Sequence, residues 1–244
     1  MKSRLFVINT QDDQIGNTFA LLIAGHDTTA GTMAAAVALL AVHQDEQEIV
    51  HKEIIQVVEE DGTLDFPQYS KLPRTLAVFL ETSRLYPAGH LGIRECLQDT
   101  TLKLQLSEDG PLSDVVMPKG SEVIIDFIGM RKLHAYPCIF ILNPCIEYNP
   151  KVFKDPMAFN PSRWKGMTED SSYSFSVGPR TCIGKKFAMT EGVCFISHLL
   201  RDFRVEPLLE VGESVNDWKA KVLERVTVNL TLSIIDVPLR LIRR

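Results

Sequence analysis

A cysteine with the surroundings of a ligand or a nucleophile lies in the stretch FSVGPRTCIG, residues 175–184. Cys182 follows Arg180 by two residues and lies between Gly178 and Gly184. A helical pattern is predicted to begin just behind it, and the positive end of a helix dipole favours a thiolate. The glycines permit positive φ and close approach of the backbone to a flat ligand. The arginine could neutralise an anionic group on that ligand.

Three interpretations of Cys182 compete on this stretch alone: a nucleophile, a metal-bound thiolate and a buried structural cysteine. A nucleophile needs a histidine and an orienting group. None of the six histidines has a recognisable local context for that role. The choice between the other two interpretations depends on the rest of the sequence.

The stretch matches F-x-x-G-x-R-x-C-x-G, which resembles the haem-binding loop of the cytochrome P-450 haem-thiolate monooxygenases. Three further stretches occur in the family's order. AGHDTT (24–29) resembles the oxygen-activation segment of the long central helix, and ETSR (81–84) resembles the E-x-x-R pair. FNPSRW (159–164) resembles the segment that supplies the arginine partner of that pair. Four motifs in order favour a haem thiolate over a structural cysteine.

The resemblance implies haem b (iron protoporphyrin IX) as the cofactor, with the Cys182 sulfur as the axial ligand of the iron. Arg180 would then pair with a haem propionate. Arg94, in LGIREC, has the spacing of a second propionate-binding arginine, although a surface arginine at a strand edge is an equally good interpretation. The other residues that the resemblance places against the haem are Phe175, Gly178 and Gly184 in the loop, and Ala24 and Gly25 in the central helix.

The AGHDTT stretch has to provide a kinked helix and a proton supply beside bound dioxygen. Gly25 weakens the helix, and the Thr28 hydroxyl can bond to a carbonyl about one turn earlier or to a water. The resemblance implies that Thr28 stabilises the bound oxygen and that Asp27 relays protons. The alternative is a packed threonine pair beside a solvated aspartate, which the presence of Cys182 disfavours.

Glu81 and Arg84 are three residues apart, so a helix brings their side chains to one face. The family pattern implies that they form a buried triad with Arg163 behind the cysteine loop. We expect this triad to have a structural role and no part in the chemistry.

The composition is that of an ordinary globular chain, with 45% hydrophobic and 23% charged residues over 244 positions. A net charge of -5 excludes a basic nucleic-acid surface. The five cysteines form no C-x-x-C pair, which indicates reduced thiols and no disulfide framework. The long apolar stretch 19–42 contains His26 and Asp27 near its middle, which favours a buried helix over a membrane span.

The predicted fold is mainly α with a small β portion. Residues 12–44 read as one long helix, apolar almost all round and therefore expected to run through the interior. Further helices are predicted at 44–61, between Pro73 and Pro87, and at 183–201. Strands are predicted for TTLKLQL, SEVIIDFI, VTVNLTLSI and PLRLIRR, with turns at EDGPLSD and MPKG.

The resemblance covers nearly all of this chain but only the C-terminal half of a family member, from the central helix onward. The whole chain is therefore interpreted as the haem-binding part of a partial cytochrome P-450 fold. Such an enzyme inserts one oxygen atom of dioxygen into a small apolar organic substrate, with electrons from an NADPH-dependent reductase. The full-length family member is expected at the cytosolic face of the endoplasmic reticulum membrane, attached through an N-terminal part that precedes this segment.

Two other interpretations stay open. The chain on its own is expected to be inactive, as a truncated fragment or gene-model product of such an enzyme. A haem-thiolate isomerase or peroxygenase is the second alternative, although Asp27 and Thr28 argue against it because those reactions have less need of a proton relay.

Residues 131–147 have no counterpart in the family pattern, which runs directly into a segment like YNPKVF. We interpret them as a retained intron, because their codons can contain a splice donor at 131–133, a branch point at 142–143 and an acceptor at 146–147. A zinc site formed by His134, Cys138 and Cys145 would need a fourth ligand and a recognised spacing, and has neither.

Transcripts that lack the codons for about residues 131–147 are therefore expected, and should encode the better-folding protein. The apolar run CIFIL in this segment would be an aggregation hazard if exposed. Deep sequencing of transcripts tests this; recovery of the unspliced form alone would contradict the intron hypothesis.

Overall fold

The structure, a computed structural model, describes residues 10–105, 111–126, 153–167, 172–228 and 231–244. Segment 131–147, predicted to be an insertion, lies outside the described residues. The described part is mainly helical and carries four two-stranded antiparallel sheets. This confirms the predicted fold class.

Helix α1, Gln11–Val42, is the long helix that the sequence predicts. It begins where the Thr10 hydroxyl accepts a hydrogen bond from the Asp13 amide, which caps the helix N-terminus. Its second half is buried between Thr29 and Ala41. The first half is exposed, so the prediction that the whole helix runs through the interior is wrong. Apolar composition shows what a side chain prefers, but burial also requires neighbours, and the described elements cover only the second half.

Three helices pack around the buried half of α1, namely α2 (Gln44–Asp61), α3 (Pro73–Leu85) and α4 (Lys185–Asp202). All three agree with the predicted helices to within about two residues. Gly62 ends α2 in the left-handed conformation, with φ of 73°, which only glycine adopts readily. The shared core of these helices contains Leu40, Ile54, Phe79 and Ile196.

Helices α3 and α4 approach each other closely in this helical core. Gly192 on α4 lies against the Phe79 ring, and a Cβ atom at residue 192 would be 2.3 Å from Phe79 Cδ2. A side chain at this position would therefore separate the two helices.

The strands form four antiparallel pairs beside the helical core. Three of the strands, β1, β3 and β5, are not among the predicted ones, and β3 overlaps the predicted turn at EDGPLSD. The stretch predicted as one strand from Val226 is a hairpin. The strands are β1 (Leu91–Glu95) with β4 (Glu122–Asp126), β2 (Thr100–Gln105) with β3 (Leu112–Met117), β5 (Phe203–Pro207) with β8 (Leu239–Arg243), and β6 (Val226–Val228) with β7 (Leu232–Ile234).

A short helix, α5 (Val215–Val222), was also missed. Its signal was present in the sequence, because Ser214 and Asp217 form a capping box at its start. Trp218 anchors α5 in a second core cluster beside α1, where it is fully buried.

Replacing Gly192 by alanine is expected to destabilise the protein by about 1–3 kcal/mol, because overpacking at the α3–α4 contact outweighs the better helix propensity of alanine. The matched control is Gly16→Ala on α1, where a Cβ would meet nothing within 4 Å. The urea midpoint of the purified protein measures both changes. An unchanged midpoint for Gly192→Ala would contradict the close packing.

Candidate functional site

The cysteine loop precedes α4 directly. Its backbone is fixed by a hydrogen bond from the Cys182 amide to the Phe175 carbonyl oxygen (2.8 Å) and by a 3-10 helix at Gly178–Arg180. The Cys182 side chain is exposed, three residues before α4 begins. The sequence predicts this position at the start of a helix, and the structure has it there.

The two glycines of the loop differ in their backbone conformation. Gly178 has φ of 72°, as expected for a position that needs glycine. Gly184 has φ of -86°, so it does not use the positive φ that glycine permits. It serves as the residue before α4, where the chain already turns into helical geometry. A Cβ at position 184 would lie 3.8 Å from Cys182 Sγ, which is ordinary contact.

A cavity of about 720 Å³ lies over the cysteine loop. Residues from α1, α3, the 88–94 segment and the loop line it. Its volume and its lining by several elements are both typical of small-molecule sites. Of the residues predicted from the sequence to contact a cofactor or act in catalysis, the cavity brings together Ala24, Thr28, Arg94, Phe175, Arg180 and Cys182. Gly25, Asp27, Gly178 and Gly184 do not line it.

On the α1 side of the cavity, the Thr28 hydroxyl donates a hydrogen bond to the Ala24 carbonyl oxygen at 2.6 Å. This is the carbonyl one turn earlier. Helix α1 continues without a break through Gly25. The Asp27 carboxylate lies one position before Thr28 on α1. It is 3.0 Å from His26 Nδ1, and both side chains are exposed.

Two arginines from different elements border the same cavity. Arg94 on β1 donates to the Ile93 carbonyl oxygen (2.8 Å) and lies 3.4 Å from Ser176 Oγ in the cysteine loop. Arg180 is on the 3-10 helix of the loop and is exposed. Two guanidinium groups on one cavity suit a ligand with two carboxylates, since each can bind a carboxylate through a pair of hydrogen bonds.

Behind the loop, the Glu81 carboxylate is fully buried and accepts hydrogen bonds from five donors. Arg84 Nε and Nη2 donate at 2.8 and 2.9 Å, and Arg163 Nε donates at 2.9 Å. The Asn160 amide and Trp164 Nε1 each donate at 2.9 Å. The structure therefore brings Glu81, Arg84 and Arg163 together, and adds two donors from the FNPSRW stretch.

Carbonyl oxygens satisfy the outward-facing nitrogens of the two arginines. Arg84 Nη1 donates to the Pro156 carbonyl oxygen at 2.6 Å, and Arg163 Nη1 donates to that of Lys154 at 3.0 Å. Both guanidinium groups also lie near the Phe153 ring, with carbon-to-centroid distances of 5.2 and 5.7 Å. This arrangement fixes the segment 153–164 against α3.

The same helix also contacts the cysteine loop directly. Ser174 Oγ donates a hydrogen bond to the Ser83 carbonyl oxygen at 3.0 Å. Sequence reasoning missed Ser174, the Trp164 contribution to the Glu81 site, and Ser176 with its φ of 60°. Trp164 could have been found, because it ends the FNPSRW motif, whereas the two serines carry no sequence signal.

No helix in the described ranges is long and apolar enough to cross a membrane. Within the same ranges, no group of three or more His, Cys, Asp or Glu side chains is arranged to hold a metal ion.

A comparison with protein families gives one match, to the cytochrome P450 family, over residues 9–230. The chain belongs to the cytochrome P450 family. It is 32% identical over 244 residues to cytochrome P450 monooxygenase 124 of Postia placenta, covering 96% of this chain and 43% of that protein. It is 31% identical over 188 residues to human cytochrome P450 4F12, covering 76% of this chain and 32% of that protein.

The fold gives the same result. The chain superposes on the crystal structure of a cytochrome P450 (CYP102L1) with a TM-score of 0.71 and 26% sequence identity, over 97% of this chain and 47% of that one. The chain thus spans less than half the length of these relatives. This is a partial cytochrome P450 fold. Family membership implies haem-thiolate chemistry, and members generally receive electrons from reductase partners.

The donors of this cavity fit a haem. The exposed Cys182 thiol, once deprotonated, is a soft anionic ligand of the kind that haem iron takes in this family. The two arginines suit the two propionates, and the wall contributed by α1 is largely apolar, as a porphyrin face requires. The cavity therefore has a suitable partner for each part of the cofactor.

Replacing Glu81 by glutamine is expected to abolish haem incorporation, because it leaves the buried Arg84 guanidinium without its counter-ion. Breaking a buried ion pair in this way commonly costs about 3–5 kcal/mol. Glu59→Gln, on the exposed end of α2, is the matched control. The ratio of Soret to protein absorbance after purification is the measurement. A normal haem content in Glu81→Gln would rule out the folding role.

Proposed function

We propose that this chain is the haem-binding part of a cytochrome P450 monooxygenase. The full enzyme inserts one oxygen atom of dioxygen into a small apolar organic substrate and reduces the other to water, with electrons from an NADPH-dependent reductase. The observation that carries the proposal is the convergence of Cys182, Arg94, Arg180 and Thr28 on one cavity from three separate parts of the chain.

In this proposal the Cys182 sulfur would hold the haem iron. When bound, a haem with a thiolate ligand supplies cleavage of the O–O bond and oxygen transfer to carbon. The chain's contribution is to hold the sulfur in place through the bond between the Cys182 amide and the Phe175 carbonyl. The N-terminus of α4 adds positive potential next to the sulfur.

Arg94 and Arg180 hold the two propionates. They approach the cavity from β1 and from the loop, so together they would orient the cofactor as well as adding binding energy. Arg180 belongs to the loop that carries Cys182, and the contact with Ser176 links Arg94 to the same loop.

Thr28 and Asp27 serve proton delivery. A hydroxyl has one donor and two acceptor sites, so Thr28 can keep its bond to the Ala24 carbonyl while it accepts a hydrogen bond from a water in the cavity. Asp27 faces solvent one position earlier on α1 and can take protons from it. Because Asp27 does not line the cavity, water molecules would have to carry protons from its carboxylate to the cavity side of α1.

The substrate side of the cavity is apolar and has small residues at its edge. Ala88 and Gly89 line it beside Leu91, and the α1 side chains Phe19 and Ile23 form the opposite wall. These surfaces favour an apolar substrate.

Phe19 is 63% exposed, so we assign the activity to the full-length protein, in which this wall would be covered, and expect no turnover from this chain alone.

The setting of the full-length protein follows from the same assignment. We place it at the cytosolic face of the endoplasmic reticulum membrane, where a membrane-bound reductase could supply electrons. The contact with the membrane would come from outside residues 10–244.

Replacing Cys182 by alanine in the full-length protein is expected to remove the red-shifted Soret band that the reduced carbon-monoxide adduct of a thiolate-ligated haem shows. Cys96→Ala, which changes a half-buried cysteine outside the cavity lining, should leave the band intact. Retention of the band in Cys182→Ala would overturn the ligand assignment and the proposed function with it.

Replacing Thr28 by alanine is expected to leave haem binding intact but to divert electrons to peroxide. Positioned proton transfer commonly contributes about 10²–10⁴-fold, so product formed per NADPH should fall at least about tenfold. Thr18→Ala, on an exposed part of the same helix, is the control. Equal product yields for Thr28→Ala and the unchanged protein would exclude the proton-delivery role.

A further inference from the structure

A polar cluster outside the cavity joins α2 to the first turn of α3. The Glu53 carboxylate on α2 accepts hydrogen bonds from the backbone amides of Arg74 at 2.7 Å and Thr75 at 2.9 Å. The Thr75 hydroxyl also donates to it, at 2.9 Å. Leu72, the residue before α3, has no side-chain acceptor for these amides, so a carboxylate from another helix takes the place of a cap. The start of α3 is therefore fixed against α2.

The Arg74 side chain extends from this point to a third element. Its Nη1 donates a hydrogen bond at 2.8 Å to Ser162 Oγ, in the 3-10 helix Pro161–Trp164. Its Nη2 donates to the Glu46 carboxylate on α2, and the side chains of this ion pair are largely buried. One planar guanidinium group thus holds the 3-10 helix next to the contact between α2 and α3.

Helix α3 thereby contacts the segment 160–164 at two places. Glu81, about two turns further along α3, accepts hydrogen bonds from the Asn160 amide and from the side chains of Arg163 and Trp164. The two contact points on α3 are roughly 10 Å apart along the helix axis. A single contact would leave the segment free to turn about it, whereas two contacts also define its orientation.

The orientation of this segment bears on the cysteine loop through α3. The Ser83 carbonyl oxygen, two residues after Glu81, accepts the hydrogen bond of Ser174 at the start of the loop. A displacement of the donors around Glu81 therefore reaches the loop within one turn of helix. The support of Cys182 depends in this way on contacts at both ends of α3.

We propose that Arg74 is a positioning residue for the Cys182 thiolate, acting through Ser162 on the segment that surrounds Glu81. The inference rests on the proposed function, because it concerns a sulfur that has to meet a haem iron. Loss of the contact between Arg74 and Ser162 is expected to leave haem incorporation intact, since Glu81 keeps its counter-ions, but to make thiolate ligation less durable. This outcome differs from that of Glu81→Gln, which is expected to abolish haem incorporation.

The red-shifted Soret band of the reduced carbon-monoxide adduct tests this inference, with its decay followed at a fixed urea concentration in the full-length protein. Ser162→Ala should accelerate the decay about fivefold, the worth of one ordinary hydrogen bond. Arg74→Gln should have a larger effect, because it also breaks the ion pair with Glu46. Arg225→Gln changes an exposed arginine outside the cluster and is the control, which should decay as the unchanged protein does.

Two further variants separate positioning from a general loss of stability. Val222→Ala removes buried methyl groups from the core cluster around Trp218 and should lower the urea midpoint. At the same distance below its own midpoint, it should keep the red-shifted band longer than Ser162→Ala does. The double variant Arg74→Gln/Ser162→Ala should decay no faster than Arg74→Gln alone, because the two side chains share one contact.

Hydrogen exchange at the Asn160 amide, which is bonded to Glu81, covers any variant that incorporates haem poorly. It should be faster in Ser162→Ala than in Arg225→Gln. Equal exchange rates in these two variants would overturn the inference. Additive effects in the double variant would do the same, as would equal band decay in Ser162→Ala and Val222→Ala. A red-shifted band missing from the unchanged protein would overturn the proposed function, and this inference with it.

Discussion

The burial of the Glu81 carboxylate is the constraint on which the surroundings of the site depend. An ion removed from water loses several kcal/mol of solvation, and only well-formed ion pairs and hydrogen bonds recover it. Glu81 has both, from two arginines, an indole N–H and a backbone amide. Three of these four donor residues, Asn160, Arg163 and Trp164, lie in the segment 160–164. Helix α3 and that segment therefore have to fold together, because neither alone satisfies the buried charge.

From this centre, α3 determines the position of the cysteine loop in two ways. The Ser83 carbonyl, two residues after Glu81, accepts the hydrogen bond of Ser174 at the start of the loop. Phe79, two residues before Glu81, lies against Gly192 on the helix that follows the loop. The loop is thus held at both ends by one helix whose own position is fixed by the buried carboxylate. A ligand that has to meet an iron atom at a defined distance needs this kind of support from outside its own loop.

The sequence was informative where function depends on local spacing. Cys182 ahead of a helix and Glu81 three residues before Arg84 are such cases, because a helix converts sequence spacing directly into geometry. The Arg163 partner required the family pattern, since Arg163 lies 82 residues after Glu81 in the chain. The conformation of Gly184 and the hairpin that begins at Val226 could not be read, because both are decided by contacts with distant segments.

The burial of helix α1 could not be read from its sequence either, because it depends on neighbouring elements. This matters for function, because the cavity lies where that burial changes. Its composition is apolar along its length, yet burial changes close to Thr28, where the helix passes from the exposed half into the core. The cavity forms at this transition, with Thr28 and Thr32 toward the buried half and Phe19 and Ile23 toward the exposed half. The Thr28 hydroxyl, which we propose to act in proton delivery, therefore lies at the edge of the buried core, whereas the wall that would contact substrate belongs to the half that the described elements leave uncovered. Residues that support the cysteine loop thus lie in the well-packed part of this chain, and those that would select the substrate lie at its open boundary.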